Sequence, residues 1–274
     1  MGNEARLLRI APTTAPGATA GTAAPWATAA LLAIAVAAWI ATAARMAGMD
    51  AGPGTDPGSL GFYLSTWTVM MAAMMLPSAA PAVLGYSGAA SRQGEHLAQT
   101  VWFAAGYMAL WAATGLIGYA LLEAGRSFAP GAFAWDQAGR WVAASILVVA
   151  AVYELTPAKR ACLTRCRGRR GDSAVPRNRA GSALRAGVGY GGWCLGCCWA
   201  MMAALFALGA MSLVWMALIT VLVGAQKLLP WTRATLVGSA VLLLALAVGL
   251  ALAASSVPGL TVPGGGSPMH MMMG

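Results

Sequence analysis

Charge is what this sequence has least of. Only 9% of its 274 residues are Asp, Glu, Lys or Arg, and just eight of those are acids. Soluble domains carry about 25% charged residues, so a water-facing surface cannot be assembled and a soluble enzyme is excluded. Short segments of alternating apolar and polar residues are also lacking, which excludes a membrane β-barrel. No G-x-x-x-x-G-K-[ST] loop occurs, and no soluble nucleotide-binding domain fits between the apolar blocks, so an ATP-driven pump within this chain is excluded as well. Neither a serine triad nor an acid–base pair suited to hydrolysis is present, and the chain reads as a binding protein rather than an enzyme.

What is abundant is apolar: 59% of the residues are hydrophobic, gathered in blocks long enough to cross a bilayer core of about 30 Å, which takes about 20 helical residues. The fold class that follows is all-α, a polytopic transmembrane helical bundle of about seven spans. They run from Trp26 to Ala44, from Phe62 to Val83 with interruptions at Pro77 and Pro81, from Ala98 to Leu122, from Arg140 to Leu155, from near Gly192 to Ala210, from Leu213 to Leu229, and from Ala234 to Ala254. The first has a longer apolar stretch than a signal peptide and 25 residues ahead of it, so it reads as a retained helix. Trp26, Trp102, Trp141 and Trp231 fall near span ends, as interfacial anchors do.

The basic residues set the orientation. Nine of the 17 lie between Lys159 and Arg185, with Asp172 the single acid among them. Placing that stretch in the cytoplasm, where short loops are rich in Lys and Arg, also places Arg6, Arg9, Arg92, Lys227 and Arg233 inside and leaves only Arg45, Arg126 and Arg140 outside. The N-terminus is then cytoplasmic and the C-terminus outside, in a bacterial inner membrane. Three regions result: residues 1–25, an Ala/Thr/Pro/Gly-rich disordered cytoplasmic tail; residues 26–254, the membrane domain with its basic cytoplasmic loop 158–185; and residues 255–274, a flexible outer tail. A charge excess confined to one loop between spans argues for a lipid bilayer as the partner and against nucleic acid.

Against this background the sulfur residues are informative. All five cysteines gather at the cytoplasmic face: Cys162 and Cys166 beyond the fourth span, and Cys194, Cys197 and Cys198 at the start of the fifth, as C-x-x-C-C. Cytosolic thiols stay reduced, so clustered ones are metal-binding or redox-active more often than bridged. At helical spacing Cys194, Cys198 and Met202 share one stripe, and Cys197 and Met201 an adjacent one. Met70, Met71, Met74 and Met75 sit near mid-membrane in the second span, and Met269, His270, Met271, Met272 and Met273 close the outer tail. Thiolates and thioethers favour Cu(I) over hard ions, with another soft metal as the alternative. Methionine in a membrane helix is usually packing. The copper reading draws its strength from agreement, since each compartment carries the ligand type it can keep reduced. Glu154 is the only acid deep in a span and requires a partner or a function; Lys227, at similar depth, is the expected partner.

Three ordered blocks carry a family resemblance: W-T-V-M-M-A-A-M-M-L-P-S-A-A-P (67–81), Y-E-L-T-P-A-K-R-A-C-L-T-R-C-R (153–167) and W-C-L-G-C-C-W-A-M-M-A-A-L-F-A-L-G-A-M-S-L-V-W-M (193–216). Between about Leu60 and Pro230 the chain resembles the bacterial predicted metal-binding integral membrane proteins. One departure is visible: where that family has Glu-Lys near the end of its sixth span, this chain has Gln226-Lys227.

The expectation is a metal-binding membrane protein that binds Cu(I) and either passes it on or delivers it to a cuproenzyme, with a cuproprotein or a copper chaperone as its partner. The cysteines and methionines named above, with His270, are its candidate ligands. Two other classes compete. A membrane thiol–disulfide oxidoreductase would use the same cysteines, although none faces outside. A structural subunit of a membrane complex would use them only as small apolar residues.

Overall fold

A computed structural model describes residues 25–46, 58–91, 96–128, 140–168, 180–209 and 212–252. The two tails, including Met269, His270, Met271, Met272 and Met273, lie outside the described residues. Among the described residues there are eight helices and no strand: α1 (Pro25–Met46), α2 (Leu60–Ser91), α3 (His96–Phe128), α4 (Arg140–Leu155), α5 (Pro157–Gly168), α6 (Ala180–Leu208), α7 (Leu213–Leu228) and α8 (Thr232–Leu252).

Five of them, α1, α2, α3, α6 and α8, are long and apolar enough to cross a membrane; α4 and α5 add a sixth if their bent pair is one span. Helix α7 is apolar but only 16 residues long, short of the ~20 a straight crossing takes. Large side chains such as Ile117, Leu121, Val149 and Val241 stay exposed. Most of the described methionines and cysteines, with rings such as Trp67, Tyr107, Trp111 and Tyr190, point inward to one continuous core. Outward aliphatic side chains around a sulfur- and ring-rich interior suit a solvent of lipid tails.

Three local features differ from the sequence expectation. Helix α2 runs unbroken through Pro77 and Pro81 rather than being interrupted there; each proline removes one backbone donor. The fourth span ends as expected before Pro157, but the first part of the basic stretch, Pro157–Gly168, is a helix rather than a loop. Thr156 caps a new helix: its Oγ1 accepts the Lys159 N–H at 3.2 Å with Pro157 in the first helical position, where its missing N–H costs nothing. Helix α5 leaves α4 at 66° and packs back on α6. The third difference is the start of α6, at Ala180 rather than near Gly192. The cysteines therefore sit midway along a 29-residue helix, not at its entrance.

Close approach of backbones explains that early start. A Cβ on Gly187 would lie 2.0 Å from the Phe103 carbonyl oxygen, and one on Gly106 2.2 Å from that of Leu184. Small residues at such crossings let membrane helices touch along their backbones. The contact between α3 and α6 stabilises the glycine-rich first half of α6 and brings Tyr107 of α3 alongside the cysteines.

Candidate metal centre

Helix α6 supplies the floor. Tyr190, Cys194, Cys198 and Met202 recur every fourth residue, and all are buried. Cys197 and Met201 line the adjacent stripe, also buried. Helix α5 folds down on this surface and is pinned along its length. Lys159 Nζ donates to Glu154 Oε1 at 2.7 Å and to the Cys197 carbonyl. The Arg165 guanidinium stacks 4.4 Å over the Trp193 ring. Arg167 donates to the carbonyls of Gln226 and Leu229 and to Thr232 Oγ1, clasping α5 to the α7–α8 junction. One consequence is that Cys166, in an arginine-rich segment, is buried against α6.

Four thiols meet there. The Cys197 and Cys198 sulfurs are 3.4 Å apart. Cys166 lies within side-chain reach of Cys194 and Cys197, and Cys198 within reach of Cys194. None is disulfide-bonded. Cys162 does not join them. It is half-buried, and its sulfur sits against α6 at Gly196, where an added Cβ would be 3.0 Å away.

Polar side chains from three further helices converge on the same point. Cys194 Sγ is 2.9 Å from Lys227 Nζ of α7 and 3.2 Å from the Tyr107 hydroxyl of α3. Lys227 Nζ also donates to Ser78 Oγ of α2 at 3.1 Å. The Cys166 thiol donates to the Tyr190 hydroxyl at 3.6 Å, and the Cys197 thiol donates to the Cys194 carbonyl at 3.1 Å. With their sulfurs turned to these partners, the described residues contain no group of three or more His, Cys, Asp or Glu side chains spaced to hold a metal ion. Among the described residues the sulfurs form a cluster without a preformed metal cage.

The expected Glu154–Lys227 pair does not form. Glu154, fully buried, takes Lys159 on one oxygen and the Gln226 amide on the other, at 2.7 Å each. Gln226 in turn donates to Ser239 Oγ of α8 at 2.9 Å. A neutral amide donor at position 226 complements the Glu154 carboxylate, whereas a carboxylate there would oppose it. Lys227 faces the other way, to the thiols. Lys159 escaped sequence reading because the bend at Pro157 hides that it returns to Glu154, only five residues before it.

The six candidate methionines of α2 and α6 are all interior: Met71, Met74, Met75 and Met201 are 0% exposed, Met70 and Met202 6% or less. Met70, Met74 and Ser78 fall at steps of four on α2, and Ser78 is the residue that touches Lys227. The methionine stripe therefore runs toward the cysteine end. Buried Met216 on α7 is a further thioether the sequence reading passed over. Tyr107 and Tyr190 were also missed; only their placement across from cysteines reveals them.

Two concavities bear on access. The larger, about 460 Å³, is an apolar groove between α4 and α6, lined by Trp141, Ile146 and Trp199 among others, and it contains no sulfur. The smaller lies over the cysteines, lined by Ser78, Pro81, Ala82, Cys166, Arg167, Tyr190 and Lys227. Chemistry and size point in opposite directions, and the small cleft is the one that reaches a thiol, that of Cys166.

A family model described as PpoB2, copper chaperone, matches residues 64–250, which covers α2 to α8 almost completely. No curated protein and no solved structure matches the chain.

Proposed function

This chain belongs to the PpoB2 copper chaperone family, and from that premise we propose that it holds Cu(I) in the membrane and delivers it to a cuproprotein. Cys166, Cys194, Cys197 and Cys198 are the primary ligands, with Cys162 peripheral. Met70, Met71, Met74, Met75, Met201 and Met202 provide neutral sulfur deeper in the bundle. Met269, His270, Met271, Met272 and Met273 serve the outer side. The orientation in the inner membrane is the one the basic residues favour, with the N-terminus in the cytoplasm, the C-terminus outside, α7 as a short seventh crossing, and the cysteine cluster midway along α6 beneath the basic, cytoplasmic helix α5.

The observation that carries this reading is the convergence of four unbridged thiols from two helices in the interior of an apolar bundle. Thiolate is the ligand class that selects Cu(I), and a thioether brings no charge that must be desolvated. A delivery protein also differs from a storage protein in needing a site that can release its cargo. Sulfurs already satisfied by Tyr107, Tyr190, Lys227 and the Cys194 carbonyl have partners to return to when the ion leaves.

The test is metal content. The full chain, purified in detergent with Cu(I) under anaerobic reducing conditions, should retain stoichiometric copper by elemental analysis. The Cys197→Ser/Cys198→Ser double variant should lose it. Unchanged copper in that variant overturns the assigned site.

A further inference from the structure

The cleft above the cysteines has a composition that a bare cation would avoid. Among the described residues its walls carry two cationic side chains, Arg167 and Lys227, two hydroxyls, Ser78 and Tyr190, and the Cys166 thiol, but no carboxylate. The acceptors of Arg167 are two carbonyls and a hydroxyl, all neutral, so they fix its position without cancelling its charge. Exposed Arg160 and Arg165 on the same helix extend the positive field outward. Clefts lined by one sign of charge concentrate ligands of the other sign.

We infer that copper reaches this site as an anionic Cu(I)–thiolate complex of a small carboxylate-bearing thiol, and that the ion passes by ligand exchange at the Arg167 rim, with Lys227 buried behind it, to Cys166. This rests on the copper reading above and adds the chemical form of the cargo. A cuprous ion held by two thiolates carries one net negative charge, and carboxylates on the carrier add more. Such a complex is drawn to the two cations that would repel the aquo ion.

Size favours exchange over admission of the whole carrier. The cleft has about 10 Å³ of room, enough for roughly one water-sized atom. Half-buried Pro81 and Arg167 form its rim, while Cys166, Tyr190 and Lys227 are buried within. The carrier therefore stays at the rim. In the step, the Cys166 sulfur forms a bond to copper and one carrier sulfur–copper bond breaks. The departing carrier thiolate takes the Cys166 thiol proton and leaves as a thiol. Copper remains Cu(I) throughout, so no electron donor or acceptor is needed. In a second exchange the sulfur of Cys194 or Cys197, both within side-chain reach of Cys166, bonds to copper as the remaining carrier sulfur–copper bond breaks. That carrier thiolate takes the incoming thiol's proton and leaves as a thiol, and the ion moves deeper than Cys166.

The experiment uses the reduced full chain in nanodiscs of phosphatidylcholine, which adds no net lipid charge. Uptake is followed by stopped flow through the ultraviolet Cu(I)–thiolate absorption. One donor is Cu(I)–glutathione, which is anionic; the other is Cu(I)–acetonitrile, which is cationic. The expected result is uptake from the glutathione complex that slows with added salt and falls ~10-fold or more in Arg167→Gln, the range in which electrostatic steering acts. Arg167→Lys, which keeps the charge and loses the fork, should restore most of that rate. Uptake from the acetonitrile complex should be no slower in Arg167→Gln than in the native chain. Equal slowing with both donors, or a glutathione rate indifferent to salt and to Arg167, overturns the inference and leaves the copper reading standing. Failure of the native chain to gain copper from either donor overturns both.

Discussion

The ammonium of Lys227 lies 2.9 Å from the sulfur of Cys194, and both side chains are buried. A cation placed there compensates the negative charge that a cuprous bis-thiolate carries in a buried setting. Hydrogen bonds to charged groups contribute about 1.5–3 kcal/mol. Lys227→Met should therefore weaken Cu(I) binding by roughly ten- to a hundredfold in competition with a Cu(I) chelator, while Lys227→Arg should lose less. A Lys227→Met variant with native affinity would assign the lysine to packing alone.

The Glu154–Lys159 pair makes a different prediction, about stability. Removing one partner of a buried pair leaves a stranded charge, at a cost of about 3–5 kcal/mol. Lys159→Met should lower the thermal midpoint in detergent sharply. It also loses the bond to the Cys197 carbonyl, so α5 should loosen from α6. Adding Glu154→Leu to Lys159→Met should recover part of the stability, because neither charge is then stranded. A double variant as unstable as the sum of the two single ones would contradict coupling between these side chains.

Much of this arrangement is legible in the sequence, for reasons that also mark where legibility stops. The helices of the apolar blocks follow from composition, and the breaks at Pro157 and Pro230 from the chemistry of proline. The stripe Cys194–Cys198–Met202 follows from a period of four. Hydropathy says that Glu154 must be paired, but not with which cation: Lys159 and Lys227 are both available, and only the 66° elbow after α4 decides. The same elbow brings Cys166 into the cluster and leaves Cys162 over Gly196. The first half of α6 was hidden because glycine and Arg185 dilute its apolar signal. Its stability comes from α3, a tertiary contact that no local pattern records.

That contact is itself testable. Gly187→Ala would place a methyl group about where the Phe103 carbonyl oxygen already sits, 2.0 Å from the new Cβ. Helices α3 and α6 would have to part, and overpacking of this kind costs typically 1–3 kcal/mol. Tyr107 would move away from Cys194 along with α3. Thermal unfolding should show the destabilisation, and chelator competition should show weaker copper binding in the folded fraction. Native behaviour in both would mean that the two helices need no backbone contact.

The two cysteines of α5 give the sharpest contrast, since they share a helix, a residue type and a basic neighbourhood. One turn separates them, yet Cys166 reaches Cys194 and Cys197, while Cys162 rests on Gly196 beside Tyr153, whose hydroxyl holds the Gly196 carbonyl. If copper is held by the cluster, Cys166→Ser should lower bound copper or weaken it at least tenfold, and Cys162→Ser should leave stoichiometry and affinity near native. Thiol alkylation of the native chain, with and without Cu(I), supplies the complementary measurement: copper should protect Cys166 more than Cys162. Equal protection of both residues, with equal losses in the two serine variants, would mean that copper draws α5 into a different position over α6, and that the four-thiol cluster is not the holding site.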